Sequence, residues 1–375
     1  MANLDVQGLA AIGDGRGGFV IEPVSVRAPA AGEVRVRLTA AGLCHTDHAS
    51  LHWPGPLVLG HEGAGVVDRV GEGVAHLQPG QPVLLNWAIP CGRCPPCRHG
   101  RGALCERTHG VDTTLGSSAP APGHTLWRGQ PVERSFKLGT FAEYTLVRAE
   151  ALSVLPAALP PRHACILGCG VMTGVGAALN VAQVPPGETV AVVGCGGVGL
   201  SVVQGARLAG AGRIIAIDRR PAALQRAVAM GATHSLEPPP DDPRHEQLAA
   251  AVRALTEGRG ADHAFEATGV AALAFLPLKL CRNGGKAVQL SGAHGPVSVE
   301  MPQFWWDKQY LVPLYGGCQP ERDFPRLFDW AARGELALDR LVTHTYRLGD
   351  LGQALDDLLA GRSAKGVVLL DAHPT

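Results

Sequence analysis

The chain has 375 residues, 46% of them hydrophobic and 18% charged, with 33 basic residues balanced by 33 acidic ones. Zero net charge lacks the basic surplus of a nucleic-acid binder, and no run approaches the roughly 18 apolar residues of a membrane span, so neither partner is expected. The length suits two domains, and the start, MANLDVQGLAAIGDGRGG, has no basic region before an apolar run, so a cytoplasmic protein is expected.

Short strands are predicted at FVIEPV and EVRVRLTAAG (residues 19–42), the second with alternating apolar positions, and then at GAGVVDRV, PVLLNW and FAEYTLV. Gly and Pro punctuate them in the manner of a small β-barrel. The pattern changes near residue 165. GVMTGVGAALNVA reads as a small-residue helix, and TVAVVGCGGVGLSVVQGARLAGAGRIIAIDRR as strand, glycine turn, helix, strand. AALQRAVAMGA and HEQLAAAVRALTEG read as helices, ADHAFEATG as a strand, AALAFLPLKLC as a helix and GKAVQLSGA as a strand. This alternation predicts a doubly wound parallel sheet over about 176–315. The tail reads as helix (FPRLFDWAARGEL), strand (LVTHTYRL), helix and strand (LGQALDDLLAGRSAKGVVLL).

Gly194-Cys195-Gly196-Gly197-Val198-Gly199 follows an apolar strand and opens a helix. Glycines there let backbone N–H groups approach a pyrophosphate at the helix N-terminus. Asp218 ends the next strand, nineteen residues after Gly199. A carboxylate at that place bonds the adenosine ribose hydroxyls and repels a 2′-phosphate, which favours NAD. Arg219 and Arg220 follow directly and work against that preference.

The ten cysteines are uneven: Cys91, Cys94, Cys97 and Cys105 fall within fifteen residues. In a reducing compartment such a set binds metal rather than forming disulfides. Four thiolates on a polar, turn-forming segment can wrap one tetrahedral zinc, and a closed set of four is structural. An iron–sulfur centre and a nucleic-acid zinc ribbon are the alternatives, the ribbon disfavoured by the neutral charge. Cys44, His61-Glu62 and Cys169 are dispersed, each close to glycine. Singly they read as buried thiols and a core histidine. Jointly, two thiolates and one imidazole with an open fourth position match a catalytic zinc site.

In order along the chain stand GLCHTD, GHEGAGVV, the four-cysteine lobe, GCGVMTG, GCGGVG and a closing GRSAKGVVLL. With these motifs the sequence resembles the zinc-dependent medium-chain alcohol dehydrogenases over essentially its whole length. The resemblance implies a GroES-like, β-rich catalytic domain (1–175 and 316–375, with the structural-zinc lobe at about 91–105) interrupted by a Rossmann domain (176–315). It implies Cys44, His61 and Cys169 as catalytic zinc ligands, Glu62 beside the metal, and Asp47 orienting His61. It makes Thr46 the hydroxyl on the bound alcohol and sets Thr173 by the nicotinamide and Trp87 on the pocket wall. His45 and Lys365 fall where the family contacts cofactor phosphates. The reaction implied is reversible oxidation of a primary alcohol, with zinc as Lewis acid and NAD as hydride acceptor.

Two departures stand out. Where some members continue the proton relay to a histidine, this chain has Ala49, leaving His48, His52 or His45. The loop TDHASLHWPGPLVLG has Asp47 as its only acid, which disfavours glutathione adducts as substrates. VLLNWAIPCGRC, LGCGVMTGVGAALN and YGGCQPERDFP are most similar to branches that include mycothiol-dependent formaldehyde dehydrogenases, so a thiol adduct is the alternative substrate. A non-enzymatic dinucleotide sensor is the remote one. Trp87 and Phe304-Trp305-Trp306 suit an aromatic or allylic substrate; core or subunit packing is the plainer reading of the second group. The long segment between Cys105 and Phe141 accompanies dimers in this family, so a homodimer paired through Rossmann sheet edges is expected.

Overall fold

The computed structural model describes residues 5–106 and 125–370. The middle of the long segment after Cys105 lies outside these residues. The chain forms two units, Met1–Cys169 with Gln319–Thr375, and Gly170–Cys318. Both boundaries fall a few residues outside the expected 175/176 and 315/316. The helix Gly170–Gly176 explains the first shift. A Cβ at Gly174 would stand 2.5 Å from the Val198 carbonyl oxygen, and one at Gly176 2.4 Å from that of Gly316. Bare glycine faces let this helix lie against the second unit's own backbone.

The first unit is two sheets rather than one closed barrel. In one, Val6–Gly13 and Phe19–Val26 form an antiparallel hairpin, extended by short strands such as Leu57–Val58 and Thr125–Trp127. Val6–Gly13 was not expected, because its core residues Ala10 and Ala11 are too small to stand out as an apolar alternation. The other sheet is built around Glu33–Gly42. Glu62–Val70 pairs with it antiparallel on one side, and Tyr144–Arg148 and Lys365–Leu369 pair antiparallel on the other. Gly42 stands opposite both Glu62 and Val367. That register brings the residues just beyond these pairs, Cys44, His61 and Lys365, to one end of the sheet.

The second unit is the expected parallel sheet. Its order is His234–Leu236, Arg213–Ile217, Thr189–Val193, Ala261–Glu266, Cys281–Gln289 and Gln309–Leu311, every pairing parallel. The first strand in sequence lies inside and the order reverses beside it, the doubly wound arrangement with its ligand crevice at the C-terminal strand ends. Thr189–Val193 is buried throughout, as a strand covered on both faces must be. His234–Leu236 and Gln309–Leu311 escaped the sequence reading because three residues give no periodicity. The predicted helix AALAFLPLKLC is two pieces, Ala271–Leu273 and Leu276–Leu280, with Pro277 in the first turn of the second. No single helix among the described residues is long and apolar enough to cross a membrane.

Candidate active site

The short helix His45–Ser50 begins where the central strand of the first unit ends. Asp47, in its first turn, is 1% exposed and uses both oxygens. Oδ2 accepts from the Cys44 backbone N–H at 2.8 Å, and Oδ1 lies 2.8 Å from His61 Nδ1. The carboxylate therefore fixes the helix start and the imidazole together. With Nδ1–H committed to Asp47, His61 presents Nε2, which is buried and finds no hydrogen-bond partner among the described residues. Cys169 comes from another direction. It follows the turn Cys165–Gly168, where a Cβ at Gly168 would stand 2.4 Å from the Leu85 carbonyl oxygen. The close approach seats Cys169 at the sheet.

One ligand atom from each of Cys44, His61, Glu62 and Cys169 lies within 4.8 Å of the others. The Cys169 thiol, then His61 and Lys365, hold the Cys44 thiol well below its ordinary range, while Cys44 and burial push Cys169 well above it. Two sulfurs this close become thiolates together only around a cation, and an orphaned imidazole nitrogen completes a soft donor set. The residues fit a zinc ion.

Glu62 differs from the other three. A Cβ on its neighbour Gly42 would fall 2.1 Å from Oε2, so only glycine there accommodates this carboxylate. Its Oε1 receives Lys365 Nζ at 2.6 Å, both residues being buried. Burial pushes the Glu62 carboxyl up to about 7, against the pull of Lys365. The position expected of Lys365, at the cofactor phosphates, gives way here to a buried ion pair. Its ammonium also donates to the Leu43 carbonyl at 2.8 Å. The register that aligns Val367 with Gly42 turns Lys365 inward.

Cys91, Cys94, Cys97 and Cys105 likewise bring their sulfurs within 4.8 Å of one another. The backbone N–H of Cys91 donates to Cys105 Sγ and that of Cys94 to Cys91 Sγ, both at 3.4 Å. Such bonds stabilise thiolates. No open position remains among four sulfurs, which fits a structural zinc rather than a catalytic one.

Thr46 Oγ1 lies 3.6 Å from Cys44 Sγ. His45 is exposed at the helix start, and half-buried His48 meets exposed His52 edge-on at 6.3 Å between ring centres. Trp87 is buried and packs on Phe136 at 5.2 Å. Phe136 in turn lies 4.8 Å from the His61 ring and 5.6 Å from Trp53. Trp53 and Phe136 are half-buried and were missed in the sequence. Trp53 had a signal, an aromatic in the loop between two candidate ligands. Phe136 had none, because its place depends on a left-handed backbone (φ 52°, ψ 29°) that a bulky residue rarely adopts. The aromatic run Phe304-Trp305-Trp306, for which packing was the plainer reading, stands in the second unit. Phe304 packs there on Phe275 and Tyr310, and Trp305 and Trp306 are exposed.

In the second unit, Gly194 has φ 90° and its Cα faces Ala267–Thr268, while a Cβ at Gly199 would fall 1.7 Å from the Gly194 carbonyl oxygen. At Gly196 a Cβ would meet nothing. Turn, close packing and an open face are what the three glycines of a dinucleotide cradle supply. Gly197 and Val198 open the helix Gly197–Leu208 half-buried, and Thr173 is half-buried on its own helix. Asp218 Oδ2 accepts from Cys195 N–H at 2.8 Å. Arg219 is exposed. The sequence reading also missed Glu266, fully buried at the end of its strand. Its carboxylate accepts from Thr268 N–H and Oγ1 at 2.5 Å and from the Ser291 hydroxyl, and so fixes the loop on which Gly194 rests.

Residues 30–157 match the model of the alcohol dehydrogenase GroES-like domain, and residues 197–333 that of the zinc-binding dehydrogenases. The chain is 38% identical over 358 residues to an S-(hydroxymethyl)glutathione dehydrogenase of Synechocystis sp., covering 93% of this chain and 95% of the relative. It belongs to the zinc-dependent medium-chain alcohol dehydrogenase family. An Escherichia coli O1:K1 protein of the same name is 36% identical over the same shares of each chain. Among solved structures, an alcohol dehydrogenase zinc-binding domain protein from Burkholderia ambifaria superposes with a TM-score of 0.89 at 32% identity, covering 98% of this chain and 99% of that one. Benzyl alcohol dehydrogenase from Acinetobacter calcoaceticus gives 0.87 at 28%, covering 97% and 99%. Family membership makes the chain an oxidoreductase that works with zinc and NAD.

Proposed function

We propose that this alcohol dehydrogenase oxidises primary alcohols with an aromatic or allylic group to their aldehydes. The observation that carries the reading is the aromatic wall on the metal site: Phe136 against His61, flanked by Trp87 and Trp53. A flat unsaturated group stacks favourably against such rings. The overall change is R–CH2–OH + NAD⁺ → R–CHO + NADH + H⁺. When bound, zinc supplies a Lewis acid that lowers the pKa of the alcohol hydroxyl, and NAD supplies the hydride acceptor.

The protein's share is binding and proton handling. Cys44, His61 and Cys169 would hold the catalytic zinc, and Asp47 keeps His61 in the tautomer that presents Nε2. Thr46 Oγ1 takes the substrate's hydroxyl proton. With Ala49 in the helix, the path outward runs to His48 and the exposed His52. Gly194 to Gly199 receive the pyrophosphate, Asp218 the ribose, Thr173 the nicotinamide, and exposed His45 a cofactor phosphate. We place the enzyme in the cytoplasm, where its ten cysteines, none of them in a disulfide here, stay reduced.

Oxidation of a thiol adduct of formaldehyde is the second reading, supported by the names of the curated relatives. The glutathione form of it loses its recognition group, because Asp47 is consumed inside the fold. The test follows NAD reduction with ethanol, hexanol, benzyl and cinnamyl alcohols, and formaldehyde with and without low-molecular-weight thiols. Benzyl or cinnamyl alcohol turning over fastest supports the proposal. Turnover confined to formaldehyde plus a thiol replaces it with the second reading.

A further inference from the structure

Arg134 is a buried cation that no acid pairs. It ends the short strand Glu133–Arg134 and is 6% exposed. Among the described residues no carboxylate stands within ion-pair distance of it, and the neighbouring Glu133 pairs instead with Lys137 at 3.7 Å. Burial pushes the Arg134 guanidinium down to about 10, against the pull of Glu133. A charge held out of water without a counter-ion is costly and has to be compensated by its hydrogen bonds.

Those bonds close a loop of chain. Arg134 Nη1 donates to the Leu146 carbonyl and, at 3.2 Å, meets Thr145 Oγ1, whose hydroxyl donates to the Leu138 carbonyl. Arg134 and Leu138 flank the turn Ser135–Lys137, so both ends of that turn are tied to the one strand Tyr144–Arg148. The turn needs the tie. Phe136 and Lys137 both have left-handed backbones, φ 52° and 63°, a conformation that costs free energy in any residue with a side chain of this size. Gly139, at φ 62°, lets the chain return so close that a Cβ there would stand 3.0 Å from Arg134 Cβ and Cγ. Beyond it, Thr140 N–H donates at 3.0 Å to the carbonyl of Gly60, the residue before His61. The product of this arrangement is the Phe136 ring 4.8 Å from His61 and 5.2 Å from Trp87.

We propose that Arg134, through Thr145, is a positioning residue that holds Phe136 against His61 and thereby sets how the enzyme ranks flat against flexible alcohols. The inference rests on the reading of Phe136 as the aromatic wall of the substrate site. Arg134 bonds only the turn and its strand, and acts through Phe136. Without the tie the turn relaxes towards ordinary backbone angles, and the ring leaves His61 and uncovers Trp87. A ring that touches the substrate's side group rather than its reacting atoms binds ground state and transition state alike, so the loss falls on KM rather than kcat.

The experiment compares Arg134→Met, which removes the charge together with its donors, and Thr145→Val, which cuts the link to Leu138, with Phe136→Ala. Thermal unfolding checks that each is folded, and should Arg134→Met not fold, Thr145→Val carries the same test. Acrylamide quenching of tryptophan fluorescence, on the full chain without cofactor, reads whether Trp87 is uncovered. Each of the two variants is expected to show at least half the gain in quenching that Phe136→Ala shows. The ratio of kcat/KM for benzyl alcohol to that for hexanol is expected to fall about three- to tenfold, through KM, as the loss of one aromatic contact implies. Arg134→Met added to Phe136→Ala is expected to change that ratio no further, because a residue acting through Phe136 has nothing left to move. Quenching that stays at the wild-type level in both variants overturns the proposal. Quenching that rises while the ratio stays fixed, or a further fall in the double variant, overturns it too and leaves Arg134 a purely structural residue. A wild type that turns over neither alcohol removes the substrate class proposed above, and quenching alone then decides whether Arg134 positions Phe136.

Discussion

Asp47 does two things at once: it holds the first turn of its helix and fixes the ring of His61. Asp47→Asn keeps the shape and removes the charge. Its amide end then faces one of the two N–H donors and leaves it unpaired. Partners that orient a metal-bound histidine are worth about 10–100-fold in metal affinity. Zinc affinity of the catalytic site is expected to drop by that factor, measured by competition with a chromogenic chelator, while the four-cysteine site keeps its metal. Gly199 allows an equally local test. A methyl group there would fall 1.7 Å from the Gly194 carbonyl oxygen, so Gly199→Ala must push the helix off the strand. Overpacking of this kind costs about 1–3 kcal/mol. Thermal unfolding of the variant without cofactor should register it, and NADH should bind at least tenfold more weakly, about 1.4 kcal/mol. At this scale much was legible, because metal chemistry restricts ligands to a few residue types and the family motifs carry them in order. Lys365 and Phe136 were not. The inward turn of Lys365 depends on a strand pairing between residues more than three hundred positions apart, and the place of Phe136 on an unusual backbone angle.

Elements were legible where they repeat a period and illegible where they are short. Strands such as Glu33–Gly42 and Thr189–Val193 announce themselves by alternation or by continuous apolar character, whereas Gln309–Leu311 has no room for either. The C-terminal helix Leu351–Leu359 shows how an element is tied down by polar groups as well as by its apolar face. Asp357 on it accepts from Tyr346 OH at 2.7 Å, Arg362 Nε at 2.6 Å and Gln353 Nε2 at 2.8 Å. These donors, Tyr346 and Arg362 foremost, hold its carboxyl down at about 2. A carboxyl whose pKa is lower folded than unfolded stabilises the fold fully above its unfolded value, about 3.9. The contribution is lost as the pH falls from there through about 2. The melting temperature of the wild type should therefore fall more steeply than that of Asp357→Asn between pH 5 and 2, the gap closing at the acid end. Parallel curves across that range would show that the three bonds carry no charge-dependent stability.

Oligomeric state is a property of the whole molecule, and it rests on a surface feature whose role the sequence left open. Among the described residues, Gln309–Leu311 pairs on one side only, with Cys281–Gln289, and is an edge of the parallel sheet. Around it stand exposed apolar side chains: Trp306 at 71%, Met301 at 66%, Val312 at 65% and Trp305 at 56%. The segment is held in place, since the Trp306 carbonyl accepts from Gly284 N–H at 2.8 Å. A contiguous apolar group beside an unpaired strand edge is an association surface. The occupant proposed is a second copy of this chain, edge to edge, which continues the sheet and covers four indoles about one twofold axis. Burying apolar surface contributes about 25 cal/mol per Å², of which the lost freedom of association offsets a large part. Charge on the surface should then tip the balance. Trp305→Glu with Trp306→Glu would bring four carboxylates together in the dimer, and is expected to sediment as the 39.0 kDa monomer at micromolar concentration. The wild type is expected at twice that mass. Zinc content should be the same in both, because all seven proposed cysteine and histidine ligands lie in the first unit. A wild type that is monomeric over the whole concentration range, or a variant that stays dimeric, would remove the sheet edge as the interface.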